Sequence, residues 1–123
     1  MVIEPVVDAV FIHVSDMERA VTWYASLLGI PPGELSHEGL IADLPVRGDA
    51  KVILDGHAHA SGVTIDRVGP RLMFPATDLE AAHAHASQLS PKVSDPEDIG
   101  SAIVFYLEDP DGNLICIIWR RPA

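Results

Sequence analysis

Two stretches of this chain read alike: FIHVSDMERAVTWYASLL at residues 11–28 and MFPATDLEAAHAHASQLS at residues 73–90. A constant offset of 62 residues aligns them and places Asp16 on Asp78. A small duplicated unit usually cannot bury its apolar face alone, whereas two copies packed together can. The sequence therefore predicts paired modules, with a groove between them as a natural place for a ligand.

Length and composition predict how these copies are organised. A chain of 123 residues with 48% hydrophobic content can form one core and is too short for two independent domains. We therefore expect a single domain over residues 1–123, with one module at about 6–60 and the other at about 68–120.

The charge balance excludes some partners. The chain has 18 acidic and 8 basic residues, for a net charge of −10, which would repel nucleic acid and anionic membranes. An anionic substrate stays possible, because an arginine close to the substrate can outweigh the repulsion from more distant acidic residues. The single cysteine, Cys116, cannot form an internal disulfide, and the N-terminal residues lack a basic signal-peptide region. We expect a cytoplasmic protein that does not bind membranes.

The first half reads as a strand, a helix and three short strands. An apolar strand is predicted from Val6 to Val14, and the pattern Ser15–Glu18 is typical of a capping box that starts a helix. That helix should end near Leu28, where Gly29 permits a left-handed stop. Three short strands follow, near Leu35, at 39–44 and at 51–54.

The second half repeats this order. A strand near Arg71 contains Pro75, which predicts a free edge or an irregularity there. A second capping-box pattern at Thr77–Glu80 starts the second helix, and a turn over 108–113 joins two β-rich runs. The class is α+β: two four-stranded, mixed, mainly antiparallel sheets with a concave inner face and the helices outside.

The motifs HVSDMERAVTWYASLLG (13–29) and FYLEDPDGNLICII (105–118) resemble the vicinal oxygen chelate superfamily. This superfamily includes glyoxalase I, extradiol dioxygenases, methylmalonyl-CoA epimerase, and the fosfomycin- and bleomycin-resistance proteins. The resemblance covers nearly the whole chain and is specific for the superfamily, not for one activity. It implies two βαβββ modules and a homodimer, because members commonly complete their clefts by pairing or swapping modules.

The resemblance also implies metal ligands on the first and last strands of each half. Counting along the motifs gives Ala9, Arg71 and Cys116, with a fourth position near Leu54 or Asp55. Alanine has no donor atom, arginine stays protonated, and one thiol is a poor ligand for the divalent ions that this superfamily uses. We therefore expect no metal and no other cofactor.

Strand alternation predicts which side chains face the ligand. Tyr106 is added by the resemblance, because a tyrosine three residues before the aspartate of the turn contacts the ligand in fosfomycin-resistance enzymes. The predicted site has apolar walls and a few polar groups, as is usual for small-molecule sites. Its residues are Phe11, His13, Arg71, Tyr106, Cys116 and Ile118, beside Ala9.

Each polar candidate has a structural alternative. Arg71 could bind an anionic ligand through forked hydrogen bonds or form an internal ion pair. His13 could act as an acid or base, or simply bond a nearby loop at a strand end. Cys116 could be a nucleophile or a small buried apolar residue. The segment Asp55–His59 could ligate a metal or serve as a solvated linker, which its glycines favour.

Three functions fit these residues. The first is a metal-free protein that binds an aromatic or amphipathic small molecule, as the bleomycin-resistance members do. The second is a lyase, isomerase or dioxygenase in which His13 or Tyr106 moves a proton and Arg71 holds an anion. The third is a metalloenzyme with relocated ligands from His13, residues 55–59 or Glu108. We favour the first, because binding requires only the pocket; the residues do not decide whether the protein is catalytic.

Overall fold

A computed structural model describes residues 2–123. The chain forms two compact units, and the division falls between Ile65 and Asp66. This division falls in the interval between the two predicted modules, whose bounds stay a prediction. The organisation of both modules as one domain stays a prediction.

The first unit is a four-stranded mixed sheet with helices. Its strand order is β1-β4-β3-β2; β1 runs parallel to β4, and the other neighbours are antiparallel. The elements are β1 (Ala9–His13), α1 (Met17–Leu28), β2 (Leu35–Ser36), β3 (Ile41–Leu44), β4 (Lys51–Asp55) and α2 (His57–Ala60).

The second unit repeats this topology. Its order is β5-β8-β7-β6, again with one parallel pair, β5 with β8, and antiparallel neighbours elsewhere. The elements are β5 (Pro70–Pro75), α3 (Leu79–Leu89), β6 (Glu97–Asp98), β7 (Ala102–Glu108) and β8 (Leu114–Arg120). The predicted α+β class and the βαβββ order of each module are confirmed.

Both main helices begin with an aspartate cap. The Asp16 carboxylate accepts a hydrogen bond from the Arg19 N–H, and the Asp78 carboxylate accepts one from the Ala81 N–H. The caps therefore lie one residue later than the predicted capping boxes. Ser15 and Thr77 each precede an aspartate with an extended backbone. The short carboxylate of that aspartate reaches the unpaired N–H groups of the first helical turn.

The end of α1 follows the prediction. Gly29 adopts a left-handed conformation with φ 65°, and its N–H donates to the Ala25 carbonyl. A left-handed backbone is strained for residues with a Cβ, so glycine suits this place.

One face of the first sheet packs against α1, which contacts β3 and β4. Ile12 and Leu54 point to this face and are 3% and 0% exposed. From α1, Tyr24 is fully buried, and the Trp23 ring meets it edge-on at 4.9 Å. The helix thus covers one face of the sheet, as the apolar pattern predicted.

The second sheet also has a buried face toward its helix. Phe105 and Leu107 are fully buried, and the His83 ring of α3 contacts Phe105 edge-on at 4.9 Å. On the opposite face, Cys116 and Ile118 belong to a second buried cluster, against which Tyr106 packs. Among residues 2–123, β5 pairs only with β8, so Pro75 lies on an edge strand, where its missing N–H disrupts no ladder.

The turn between β7 and β8 is organised by one buried carboxylate. Asp109 accepts from the Asp111 N–H at 2.9 Å, and from the backbone and side-chain N–H groups of Asn113 at 2.8 and 2.7 Å. The Arg67 guanidinium donates to the side-chain oxygen of Asn113 at 2.5 Å. The predicted turn is confirmed, and its polar residues have a structural role.

Candidate ligand-binding faces

The face of the first sheet that α1 does not cover carries an exposed aromatic residue. Phe11 is 54% exposed, and the strand register places Ile53 opposite it and Asp43 opposite Ile53. Residues directly opposite each other project to the same side of a sheet. Phe11, Ile53 and Asp43 therefore form one row across this face, which we call the open face of the first sheet.

A second row on the open face is polar. His13 lies opposite Asp55, which lies opposite Ile41, which in turn lies opposite Ser36. Asp55 accepts hydrogen bonds from the His57 N–H at 2.9 Å and from the His57 ring at 2.8 Å. An imidazole and a carboxylate thus lie beside the row of Phe11.

The environment of Asp55 changes its acidity. Burial acts to raise the pKa of this carboxyl, but the hydrogen bonds from His57 and the charges of His57 and His13 outweigh burial and leave the pKa lowered. Asp55, at the end of β4, therefore accepts hydrogen bonds from His57 and interacts with the charge of His13, at the end of the parallel strand β1.

The segment 55–59 is more ordered than the predicted linker. Asp55 ends β4, and the short helix α2 begins at His57. His57 and His59 therefore do not share the face that an extended segment would give them. Within residues 2–123, no three His, Cys, Asp or Glu side chains are grouped so that they could hold a metal ion.

The second sheet has a comparable row. Met73 lies opposite Cys116, which lies opposite Tyr106. Met73 is 54% exposed, whereas Cys116 is only 2% exposed. Burial raises the pKa of the Cys116 thiol, although its hydrogen bond with Tyr106 acts in the other direction. The nearby charge of Cys116 and burial raise the pKa of the Tyr106 phenol.

Arg71 lies outside this regular row. The register between β5 and β8 shifts between Pro70 and Leu72, so Arg71 is the extra residue of a β-bulge. Its side chain is exposed, and its guanidinium donates to the Asp66 carbonyl. Alternation along β5 therefore does not assign Arg71 to a face, and its role as a ligand contact stays a prediction.

The strand registers identify the fourth position that counting along the sequence left open. Met73 pairs with Cys116 in the second unit, and its counterpart Phe11 pairs with Ile53 in the first. The counterpart of Cys116 is therefore Ile53, not Leu54 or Asp55. Together with Ala9 and Arg71, the four positions offer one thiol and no carboxylate or imidazole.

A pocket in the first unit was not predicted from the sequence. It has a volume of about 470 Å³ and is lined by residues 31–36 together with Asp43 and Pro45. The signal that could have revealed it is Pro31-Pro32-Gly33, a rigid loop whose glycine approaches the backbone of β3.

Comparison with protein families assigns the chain. The model of the glyoxalase-like domain matches residues 9–118. The chain belongs to this family. The resemblance to the vicinal oxygen chelate superfamily is thereby confirmed, and the match of this glyoxalase-like chain includes both units.

Solved structures agree in fold with this glyoxalase-like chain. TnmS3, an antibiotic-binding protein from Streptomyces sp. CB03234, is 21% identical, with a TM-score of 0.73 over 98% of this chain and 99% of that one. A glyoxalase/bleomycin resistance protein from Albidiferax ferrireducens T118 is 25% identical, with a TM-score of 0.68 over 93% and 98%. Lactoylglutathione lyase from Agrobacterium tumefaciens is 16% identical, with a TM-score of 0.69 over 94% of each chain.

One further comparison and the length of the helices complete this description. A search of curated protein sequences found no significant match. Among residues 2–123, no helix is both long enough and apolar enough to cross a bilayer.

Proposed function

We propose that this protein binds a small, partly apolar molecule without the metal site of its superfamily. The observation that supports this best is the pair Phe11 and Met73. Both are at equivalent places in the first strands of their units, and both are 54% exposed. What distinguishes this pair from other exposed apolar side chains is its repetition at the same strand position in both units, each time beside polar groups, which is the combination that small-molecule sites use.

The polar neighbours of these residues would orient a ligand. In the first unit His13 and Asp55 lie in the adjacent row, and in the second unit Tyr106 lies in the same row as Met73. Ile118 follows two residues after Cys116, on the same side of β8. The proposed contacts are Phe11 and His13 in the first unit and Tyr106 in the second, where the buried side chains of Cys116 and Ile118 pack beneath Tyr106 and form the apolar wall of its face. Arg71 is retained as a contact for anionic ligands only.

The donor chemistry does not fit the metal of the superfamily. Ala9 and Ile53 have no side-chain donor, and the Arg71 guanidinium would repel a cation. Cys116 is buried, and burial favours its protonated form, which does not ligate metals. The proposed binding function therefore uses protein groups alone.

Ligand-dependent stabilisation tests the proposal. The probes are metal-free bleomycin and 2-naphthylmethanol, and the readout is the melting temperature with and without EDTA. A ligand that binds only the folded state raises the melting temperature by mass action. We expect stabilisation by at least one probe and no effect of EDTA.

Two variants locate the binding. Phe11→Ala and Met73→Ala are expected to weaken probe binding at least threefold, because each removes apolar contact area. Val63→Ala is the control, since Val63 is 56% exposed and lies outside the strands. Equal affinity of all three variants, or a melting temperature that falls on chelation, would contradict the proposal.

A second function is favoured by the contact between Asp55 and His57. Carboxylate–imidazole pairs support proton transfer, and His13 lies opposite Asp55 on the open face. In an enzyme of this kind, His13 or Tyr106 would move a proton. Mass spectrometry of the recovered probe distinguishes the two functions. An unchanged mass supports binding alone, and a product that disappears in His13→Ala supports catalysis.

A further inference from the structure

The pocket beside β3 combines a rigid apolar wall with free carboxylates. Three of its lining residues are prolines, and Leu35 is 43% exposed beside them. Glu34 and Asp43 contribute negative charge, and no arginine or lysine is among the lining residues.

Backbone packing gives the pocket its shape. A Cβ on Gly33 would lie 2.2 Å from the Asp43 carbonyl oxygen, so only glycine allows the loop to approach β3 this closely. Pro31 and Pro32, which come directly before Gly33, restrict the remaining freedom of the loop. The pocket is therefore preformed by main-chain contact and does not depend on flexible side chains.

The two carboxylates are available to a ligand. Within residues 2–123, neither Glu34 nor Asp43 has a side-chain hydrogen bond or an ion pair, and both are exposed. The helix α1 ends three residues before Pro31 and has no basic residue in its last turn. With a net charge of −10 for the whole chain, the pocket attracts cations and repels anions.

The pocket is continuous with the open face of the first sheet. Asp43 belongs to the row of Phe11 and Ile53, and Ser36 belongs to the row of His13 and Asp55. Adjacent strands lie about 4.8 Å apart, so Asp43 and Phe11, two strands apart, are separated by about 10 Å. A molecule with a single aromatic ring system and a short side chain can span this distance.

We propose that the pocket takes the protonated amine of an amphipathic ligand whose apolar part lies on Phe11 and Ile53. Glu34 and Asp43 provide the charge, and the Ser36 hydroxyl provides a hydrogen-bond acceptor. The inference rests on the proposed binding function and adds the charge class of the ligand to it.

Three probes that share one ring system test the charge. They are 2-naphthylmethylammonium, 2-naphthylmethanol and 2-naphthoate, and affinity is measured by isothermal titration at 50 and 300 mM NaCl. We expect the ammonium to bind most tightly and the carboxylate most weakly. The preference should shrink at the higher salt concentration, since salt screens exposed charges.

Variants assign the preference to the pocket. Glu34→Gln and Asp43→Asn should each weaken the ammonium by about three- to tenfold and leave 2-naphthylmethanol unchanged. Asp49→Asn is the matched control, because it removes the same charge from an exposed position of the same unit that does not line the pocket.

The outcomes separate the two proposals. Equal binding of the three probes, or an equal effect of Asp49→Asn and Asp43→Asn, overturns the cation pocket. If Phe11→Ala still weakens 2-naphthylmethanol in that case, the binding function stands. If none of the probes binds, the cation pocket is overturned, and stabilisation by bleomycin alone then decides the binding function.

Discussion

Asp16 and Asp78 perform the same task 62 residues apart. Each aspartate has an extended backbone, and each carboxylate accepts from the backbone N–H three residues later at 3.1 Å. The two units therefore share both their strand order and the hydrogen bond with which their helices begin.

Removal of either cap should cost a similar amount of stability. Asp16→Ala and Asp78→Ala are each expected to lower the free energy of unfolding by about 1 kcal/mol, because an N–H of the first turn loses its acceptor. Urea denaturation measures the loss. Ser15→Ala and Thr77→Ala are the controls and should cost clearly less; if they cost as much, the hydroxyls are the caps and our assignment is wrong.

Replacement of His57 should raise the pKa of Asp55. In His57→Ala the carboxyl keeps the hydrogen bond from the backbone N–H of residue 57 but loses the ring hydrogen bond and a nearby positive charge, two of the contributions that together outweigh burial in the native protein. Carbon-13 NMR titration of the carboxyl measures the change. His59→Ala, in the same short helix, should leave the titration unaltered, and an unaltered titration in His57→Ala would contradict this account.

The same contact has a consequence for acid stability. A carboxyl whose pKa is lowered by folding stabilises the native state above its unfolded pKa of about 3.9, and this contribution disappears as pH falls through the folded pKa. We therefore expect the stability difference between the native protein and His57→Ala to be largest above pH 4 and to narrow at lower pH. Unfolding by urea across this range provides the measurement.

Cys116 should make the protein less stable at high pH. Because burial raises the pKa of its thiol, the unfolded chain loses the proton before the folded chain does. Stability should fall above about pH 8.5 by at most about 1.4 kcal/mol per pH unit from this group. Cys116→Ala should show a shallower decline, and parallel declines in the two proteins would refute the assignment.

Arg71 should matter for anions and not for cations. Arg71→Ala is expected to weaken 2-naphthoate by about 1 kcal/mol, because the side chain is exposed and a solvent-exposed charged contact is worth less than a buried one. The affinity for 2-naphthylmethylammonium should stay within about twofold, because Glu34 and Asp43 provide that contact. Arg19→Ala is the control, as an exposed arginine on α1, which packs on the face of the first sheet opposite the open face. Unchanged 2-naphthoate binding in Arg71→Ala would remove Arg71 from the site.

Much of the fold could be predicted, because the two similar stretches of sequence carry the same local signals and each supports the prediction made for the other. The patterns Ser15–Glu18 and Thr77–Glu80 locate the helix starts to within one residue, Gly29 marks a helix end, and the polar turn at 108–113 separates two apolar strands. These signals are local, since capping, left-handed backbone and turn formation depend on neighbouring residues.

The details of the site depend on contacts that are distant in sequence. The bulge at Arg71 arises from the register of β5 with β8, more than 40 residues away along the chain. Likewise, the pocket exists because Gly33 meets the backbone of Asp43, and Ile53 is recognised as the counterpart of Cys116 only through strand pairing. Side-chain alternation alone carries no information about these pairings.

The parallel pairing of first and last strands makes each unit self-contained in its main-chain bonding. β1 pairs with β4, and β5 pairs with β8. All strands of the first sheet therefore precede the connection at Ile65 and Asp66, and all strands of the second sheet follow it. Proteolytic cleavage of that connection would leave both ladders whole. Such a nicked chain should retain its amide-exchange protection in both sheets, which makes this connection a suitable place to insert a reporter peptide.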